Sequence, residues 1–255
     1  MLRFILVTLL SLSGALGAPA ADTDLGERIV GGEDAPLGQY PFQISLQYNN
    51  QHMCGGSILT ENYCLTAAHC VDGVYVGLSV LAGTVSLSSG GQRRVVASHT
   101  MHEGYDPYDQ WINDIAVVKL SSPLELGSYV QPVPLLGQGV ETPGGTPATV
   151  IGWGRLATGG SAPDKLQMVD ILVYSDEECN ALHDGATHPT NICAGVPEGG
   201  KGQCSGDSGG PLIADGYQVG IVSWSVKPCT VAPYPGVYTQ VTSYIDWIKQ
   251  NTDRT

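Results

Sequence analysis

Three short stretches carry the residues that could do chemistry: LTAAHC with His69, NDIAVVKL with Asp114 and GDSGGP with Ser208. A serine hydroxyl is a weak nucleophile at neutral pH and needs an adjacent base. A histidine serves as that base only when one tautomer is held, usually by a carboxylate. Attack also creates an oxyanion, which preorganised backbone N–H groups must meet. The glycines around Ser208 permit a strained turn that aims the N–H groups of Gly206 and Ser208 at one point. Taken singly, the three stretches read as structure: a histidine beside a disulfide, an aspartate ending a turn, a tight glycine loop. Together they hold every part that nucleophilic catalysis by a serine requires.

The chain around them must supply a rigid frame. Its 255 residues include 34 Gly and 16 Pro, only 14% are charged, and short Val/Ile/Thr/Tyr runs recur between turn residues. This texture predicts an all-β protein. The strand-like runs include FQISLQY, IAVVKL, ATVIGW, LQMVDILVY and YQVGIVSW. The Pro- and Gly-rich stretch 131–147 separates two β units at about 29–135 and 148–240, with the linker proper at about 136–147. Only the end reads as a helix, about 242–252, with Thr242 or Ser243 as cap and Tyr244, Ile245 and Ile248 as its apolar face.

The first residues read as a targeting signal. Arg3 precedes an apolar run, Phe4–Leu12, that is too short to span a bilayer, and small residues follow up to Gly17 and Ala18. A cleaved secretory peptide at 1–17 is expected, and with it a secreted, extracellular protein. Residues 18–28, APAADTDLGER, read as a pro-segment ending at Arg28, and the Arg28–Ile29 bond beside flexible glycines suits proteolytic nicking. With 11 basic against 24 acidic side chains and no basic patch, nucleic acid is excluded as a partner. Seven cysteines in an oxidising compartment imply bridges and one residue left over. No C-x-x-C pair supports a zinc site, and no metal or other cofactor is expected.

The order His–Asp–Ser in these motifs resembles the chymotrypsin-like serine proteases. IVGGEDAPLGQYPFQISL, CGGSIL, IGWG, IVSW and PGVYTQVTSYIDWIKQ resemble that family too, from Ile29 to the C-terminus. The resemblance implies an all-β fold of two antiparallel six-stranded barrels with a C-terminal helix and the site between them. It implies a monomeric serine endopeptidase acting through an acyl-enzyme: His69 general base, Asp114 its orienting carboxylate, Ser208 nucleophile, Gly206 and Ser208 N–H the oxyanion hole; the alternative, a non-catalytic binding homologue, is disfavoured because such proteins usually lack one of the three groups. Ser205, Ser223, Trp224 and Ser225 would bind substrate. Cleavage after Arg28 by a protease with trypsin-like preference would free an Ile29 ammonium to pair with Asp207, so the uncut chain would be a zymogen. Disulfides Cys54–Cys70, Cys179–Cys193 and Cys204–Cys229 follow by the same resemblance and leave Cys64 as a buried thiol. A fourth bridge common in relatives is absent, both positions being Ala148 and Ala214. The stretch LAGTVSLSSGGQRRVVAS, where many relatives bind calcium, has no carboxylate.

Specificity in this family depends on the residue six before the serine. Trypsin-like members have aspartate there, and this chain has Gly202, with Gly236 on the back wall. A buried Lys or Arg would find no partner charge, so cleavage after cations is disfavoured. Two glycines predict room for Tyr, Phe, Leu or Met, with an elastase-like preference for smaller residues as the alternative. Gln203 replaces a small wall residue, where its amide either fills space or donates a hydrogen bond, and Ser225 stands where glycine keeps the mouth open. Trp111 either narrows a neighbouring subsite or packs in the core. Protein protease inhibitors are expected partners beside peptide substrates, and digestion is the expected setting, because no regulatory domain accompanies the protease.

Overall fold

The computed structural model describes residues 29–254. The expected signal segment, the pro-segment and Arg28 lie outside the described residues. After a two-residue strand β1 (Glu33–Asp34), six strands build a first barrel: β2 (Gln43–Tyr48), β3 (Gln51–Ile58), β4 (Tyr63–Thr66), β5 (Leu78–Ala82), β6 (Gln92–Met101) and β7 (Ala116–Leu120). They close in the order β2-β3-β4-β7-β6-β5. The second set is β8 (Pro147–Gly152), β9 (Gln167–Val173), β10 (Asn191–Gly195), β11 (Pro211–Ala214), β12 (Tyr217–Trp224) and β13 (Gly236–Gln240). Their order β9-β10-β13-β12-β11-β8 closes through the β8–β9 pair. Two antiparallel six-stranded barrels result, which removes the open edges a sheet would otherwise expose.

Local turn chemistry sets the registers. Asn49 and Asn50, at φ 49° and 64°, join β2 to β3, and Asp215 and Gly216, at φ 49° and 82°, join β11 to β12. Both pairs suit two-residue hairpins that need positive φ twice. Each barrel then buries its own core, Ile44, Leu46, Leu65 and Val118 in the first, Val150, Ile192, Leu212 and Val219 in the second.

The chain ends cross over. Ile29 is fully buried in the second barrel's core and β1 pairs with β9, Glu33 opposite Met168. Assigning 29–135 wholly to the first barrel is thereby corrected for its opening residues: the apolar Ile29 finds its cavity in the other barrel. The C-terminus makes the reverse crossing. Ile245, Trp247 and Ile248 join the first barrel's core, and Arg254 donates to the carbonyls of Leu59 (3.0 Å) and Val133 (2.9 Å). The two ends thus strap the barrels together.

Two helices are present among the described residues, where one was expected. The first, α1 (Asp176–Leu182), starts at a capping box in which Ser175 accepts from the Glu178 N–H and Glu178 reaches back to Ser175. The second, α2 (Ile245–Asn251), begins later than the expected 242. Residues Val241–Ser243 form a 3-10 turn instead, so neither Thr242 nor Ser243 is the cap. No helix of the described residues is long and apolar enough to cross a membrane.

The three disulfides join the expected pairs, Cys54–Cys70, Cys179–Cys193 and Cys204–Cys229. Cys64 is free and buried on β4, and burial pushes its thiol up to about 12. Since the thiolate is the reactive form, native protein at pH 8 should not react with a disulfide reagent, whereas denatured protein should release one equivalent. Rapid titration of a native thiol would contradict this burial.

Candidate active site

His69 sits in the 3-10 turn Ala68–Cys70, directly after β4, and the Cys54–Cys70 disulfide anchors that turn to β3. Asp114 follows Asn113, which is held at φ 56° by two bonds: its amide donates to Gly104 O at 2.7 Å and its Oδ1 accepts from Tyr244 at 2.8 Å. Thr239 of the second barrel donates to the Asp114 carbonyl at 2.8 Å. The aspartate side chain is fully buried, and a buried carboxylate requires donors. It has three. His69 gives its backbone N–H to Oδ1 at 2.9 Å and its ring to Oδ2 at 2.7 Å, and Ser223 donates to Oδ2 at 2.6 Å. A carboxylate only accepts, so His69 Nδ1 carries the proton and Nε2 presents its lone pair.

Ser208 approaches from the second barrel. Its carbonyl accepts from Gly55 N–H at 2.8 Å, and the next N–H, of Gly209, donates to Val222 O at 2.8 Å. The serine loop is therefore wedged between β3, which carries the His69 disulfide, and β12, which carries Ser223. The Ser208 hydroxyl is half-buried and makes no side-chain hydrogen bond among the described residues. Such contacts often tighten only when substrate binds. Gly206 lies at φ 100°, a conformation that favours glycine, and neither its N–H nor that of Ser208 donates to an acceptor among the described residues. Two N–H groups without an acceptor among the described residues thus lie at Ser208.

Sequence reasoning missed one residue here. His52 is half-buried, and its Nε2 contacts Gly206 O at 3.0 Å while Nδ1 contacts Ser45 Oγ at 2.8 Å. A carbonyl only accepts, so Nε2 bears the proton and Nδ1 takes the serine hydroxyl. Burial also lowers the pKa of this histidine, consistent with a neutral ring. His52 braces the turn at Gly206 from 154 residues away, and no local motif signals it.

Asp207 is fully buried and accepts from the N–H groups of Gly154 (2.8 Å) and Cys204 (2.9 Å). Burial nevertheless pushes it up to about 6. The IGWG motif exists to admit this carboxylate: a Cβ on Gly152 would stand 2.2 Å from Asp207 Oδ1, and one on Gly154 2.3 Å from Cγ.

The family model described as Trypsin matches residues 29–248. Trypsin-1 of Astacus astacus is 44% identical over 240 residues, covering 88% of this chain and 99% of that protein. Trypsin alpha-4 of Lucilia cuprina is 40% identical, covering 97% of each. Among solved structures, human heparin binding protein superposes with a TM-score of 0.79 at 32% identity, covering 87% of this chain and 96% of that one. This chain belongs to the trypsin family. It is a serine endopeptidase with the chymotrypsin-like fold.

Gly202 and Gly236 line a narrow slot. Its lining includes Gly202, Gln203, Ser225, Thr230, Tyr234 and Gly236, and its volume is about 10 Å³, no more than one water needs. The open slot expected from Gly202 and Gly236 is therefore corrected. Gln203 is only 3% exposed and its Nε2 donates to Trp224 O at 2.7 Å. A Cβ placed on Gly236 would lie 2.8 Å from that same nitrogen. The space that two glycines vacate is taken by a neighbour's side chain.

Ser223 and Trp224 end β12 and Ser225 follows it, whereas Ser205 is exposed. Trp111 is 39% exposed, so it is no core residue, and its ring centroid stands 6.4 Å from that of Trp224. His183 meets Trp224 edge to face at 5.0 Å. Two His/Cys clusters, Cys54–His69–Cys70 and Cys179–His183–Cys193, have ligand-like spacing. Their sulfurs are tied up as disulfides and offer no thiolate to a metal.

Proposed function

We propose that the chain hydrolyses peptide bonds with Ser208 as nucleophile, His69 as general base and then acid, and Asp114 as the group that orients and stabilises the imidazolium. The observation that carries this reading is the buried Asp114 carboxylate, which holds the His69 tautomer whose lone pair is free. The N–H groups of Gly206 and Ser208 receive the oxyanion, and Ser223 to Ser225 pair with the substrate backbone. The domain spans 29–255, preceded by a signal peptide at 1–17 and a pro-segment at 18–28, and the protein is secreted. Protease inhibitors are further partners.

Activation follows from Asp207. Burial holds this carboxyl up at about 6, although the Cys204 and Gly154 N–H groups and the charge of Lys227 act in the opposite direction. Cleavage after Arg28 creates an ammonium on Ile29, whose side chain is already seated in the core that holds Tyr238. That ammonium pairs with Asp207, favours its ionised form and orders the Gly206 turn. Removing one half of a buried pair costs on the order of 3–5 kcal/mol, roughly a hundred- to several-thousandfold in activity.

The relatives' name, trypsin, suggests cleavage after a cation. The slot's lining favours a neutral residue instead, since it contains Lys201 and no carboxylate. To test the assignment, the chain is cut with trypsin, the new Ile29 terminus is verified by sequencing, and a dialkyl fluorophosphate is added. Stoichiometric labelling of Ser208 is expected after the cut and not before, with Asp207→Asn labelled far more slowly. Equal labelling of cut and uncut chains would remove the zymogen switch, and no labelling of either would remove the protease assignment.

A further inference from the structure

We infer that Gln203 is an internal plug which sets the specificity of this protease, closing the primary slot to all but Gly, Ala and Ser side chains. The inference rests on the proposed protease function and adds its substrate class. The side chain leaves the wall on the serine side of the slot and ends on the carbonyl of Trp224, 21 residues on, in the opposite wall. A bond between the two walls at 2.7 Å leaves no passage between them at that depth. The Cγ, Cδ and Nε2 atoms lie against Gly236, so the gap at that glycine is filled by carbon and nitrogen of the protein itself. Thr230 also lines the slot, its Cγ2 3.2 Å from where a Cβ on Gly202 would be. A benzyl or isobutyl group would have to displace the Gln203 side chain from Gly236 and from the Trp224 carbonyl, and overpacking of that kind is penalised.

Gln203 also brings an acceptor. Its Oε1 is buried with no hydrogen-bond partner among the described residues, and an unpaired buried polar atom is unfavourable. An apolar side chain pressed into the slot would keep that atom from water. A substrate methyl or hydroxymethyl reaches only the mouth, beside Ser225, and leaves the amide bridge intact.

The experiment uses cleaved full-length protein and peptide anilides that differ only in the residue before the scissile bond. The wild type should cut after Ala or Ser with kcat/KM at least about tenfold above that for Phe, Tyr or Leu. Gln203→Ser should raise kcat/KM after Phe and Leu by roughly 10- to 200-fold, the range associated with small changes in pocket volume. Labelling by a dialkyl fluorophosphate reports the catalytic groups independently of the slot. Labelled wild type that prefers Phe, Tyr, Leu, Lys or Arg would overturn the plug while leaving the protease assignment in place. Unlabelled wild type would overturn both. The wild-type profile decides even where the substituted chain fails to fold.

Discussion

Replacing Ser208 with alanine in the cleaved enzyme should lower kcat by about a millionfold, the scale of loss in a serine hydrolase with the same three groups on an unrelated fold. The reason is structural. His69 keeps its Nδ1 proton on Asp114 and its Nε2 lone pair, but no hydroxyl remains for it to deprotonate. What survives is binding and the two N–H donors of Gly206 and Ser208, worth roughly a thousand- to ten-thousandfold over water. Stability should hardly change, because the serine loop is fixed by its backbone bonds to Gly55 and Val222 rather than by the hydroxyl. The check is kcat beside the thermal midpoint. Activity within a hundredfold of wild type at an unchanged midpoint would mean that another residue is the nucleophile.

Asp114→Asn should cost about ten-thousandfold in kcat, the scale known for the homologous change in related enzymes, by a different route. The carboxylate takes three donors at once, two of them on Oδ2, from His69 Nδ1 and Ser223 Oγ. An asparagine amide must put an NH2 at one of those positions. Facing His69, it donates to Nδ1, so the ring proton moves to Nε2 and the lone pair that would accept from Ser208 disappears. KM should change little, because Asp114 is fully buried and reaches no substrate. Nitrogen-15 spectra of the ring should show the exchanged tautomer. A loss under tenfold, or the wild-type tautomer in the variant, would sink this account of Asp114.

Much of the architecture was legible in the sequence where the signal was local. The strands of β2, β7, β8, β9 and β12 stood out as apolar runs, and the apolar face of α2 was legible too. Other elements were silent for physical reasons. β5 (LSVLA) and β10 (NICAG) are buried at every residue, so they show no alternation to separate them from other short apolar runs. The α1 helix is seven residues long, and its one clear sign, the Ser175–Glu178 box, is easily passed over in a chain dominated by strands. The crossing of the two termini between barrels had no local sign, since it depends on which cavity each apolar end can fill.

The sequence alone determined the chemistry. His69, Asp114 and Ser208 lie in motifs whose neighbours are dictated by the backbone turns they need, so residue identity carries the information directly. It also showed that the two positions expected to carry a carboxylate in a cation-binding slot are Gly202 and Gly236. The size of the specificity slot was decided only by the tertiary structure. Counting glycines predicted space, but space belongs to whichever side chain can reach it, and Gln203 reaches it by bonding to a carbonyl on another strand segment. The same holds for His52 at Gly206. A long polar side chain can satisfy itself in several directions, and only the packed walls around it select one.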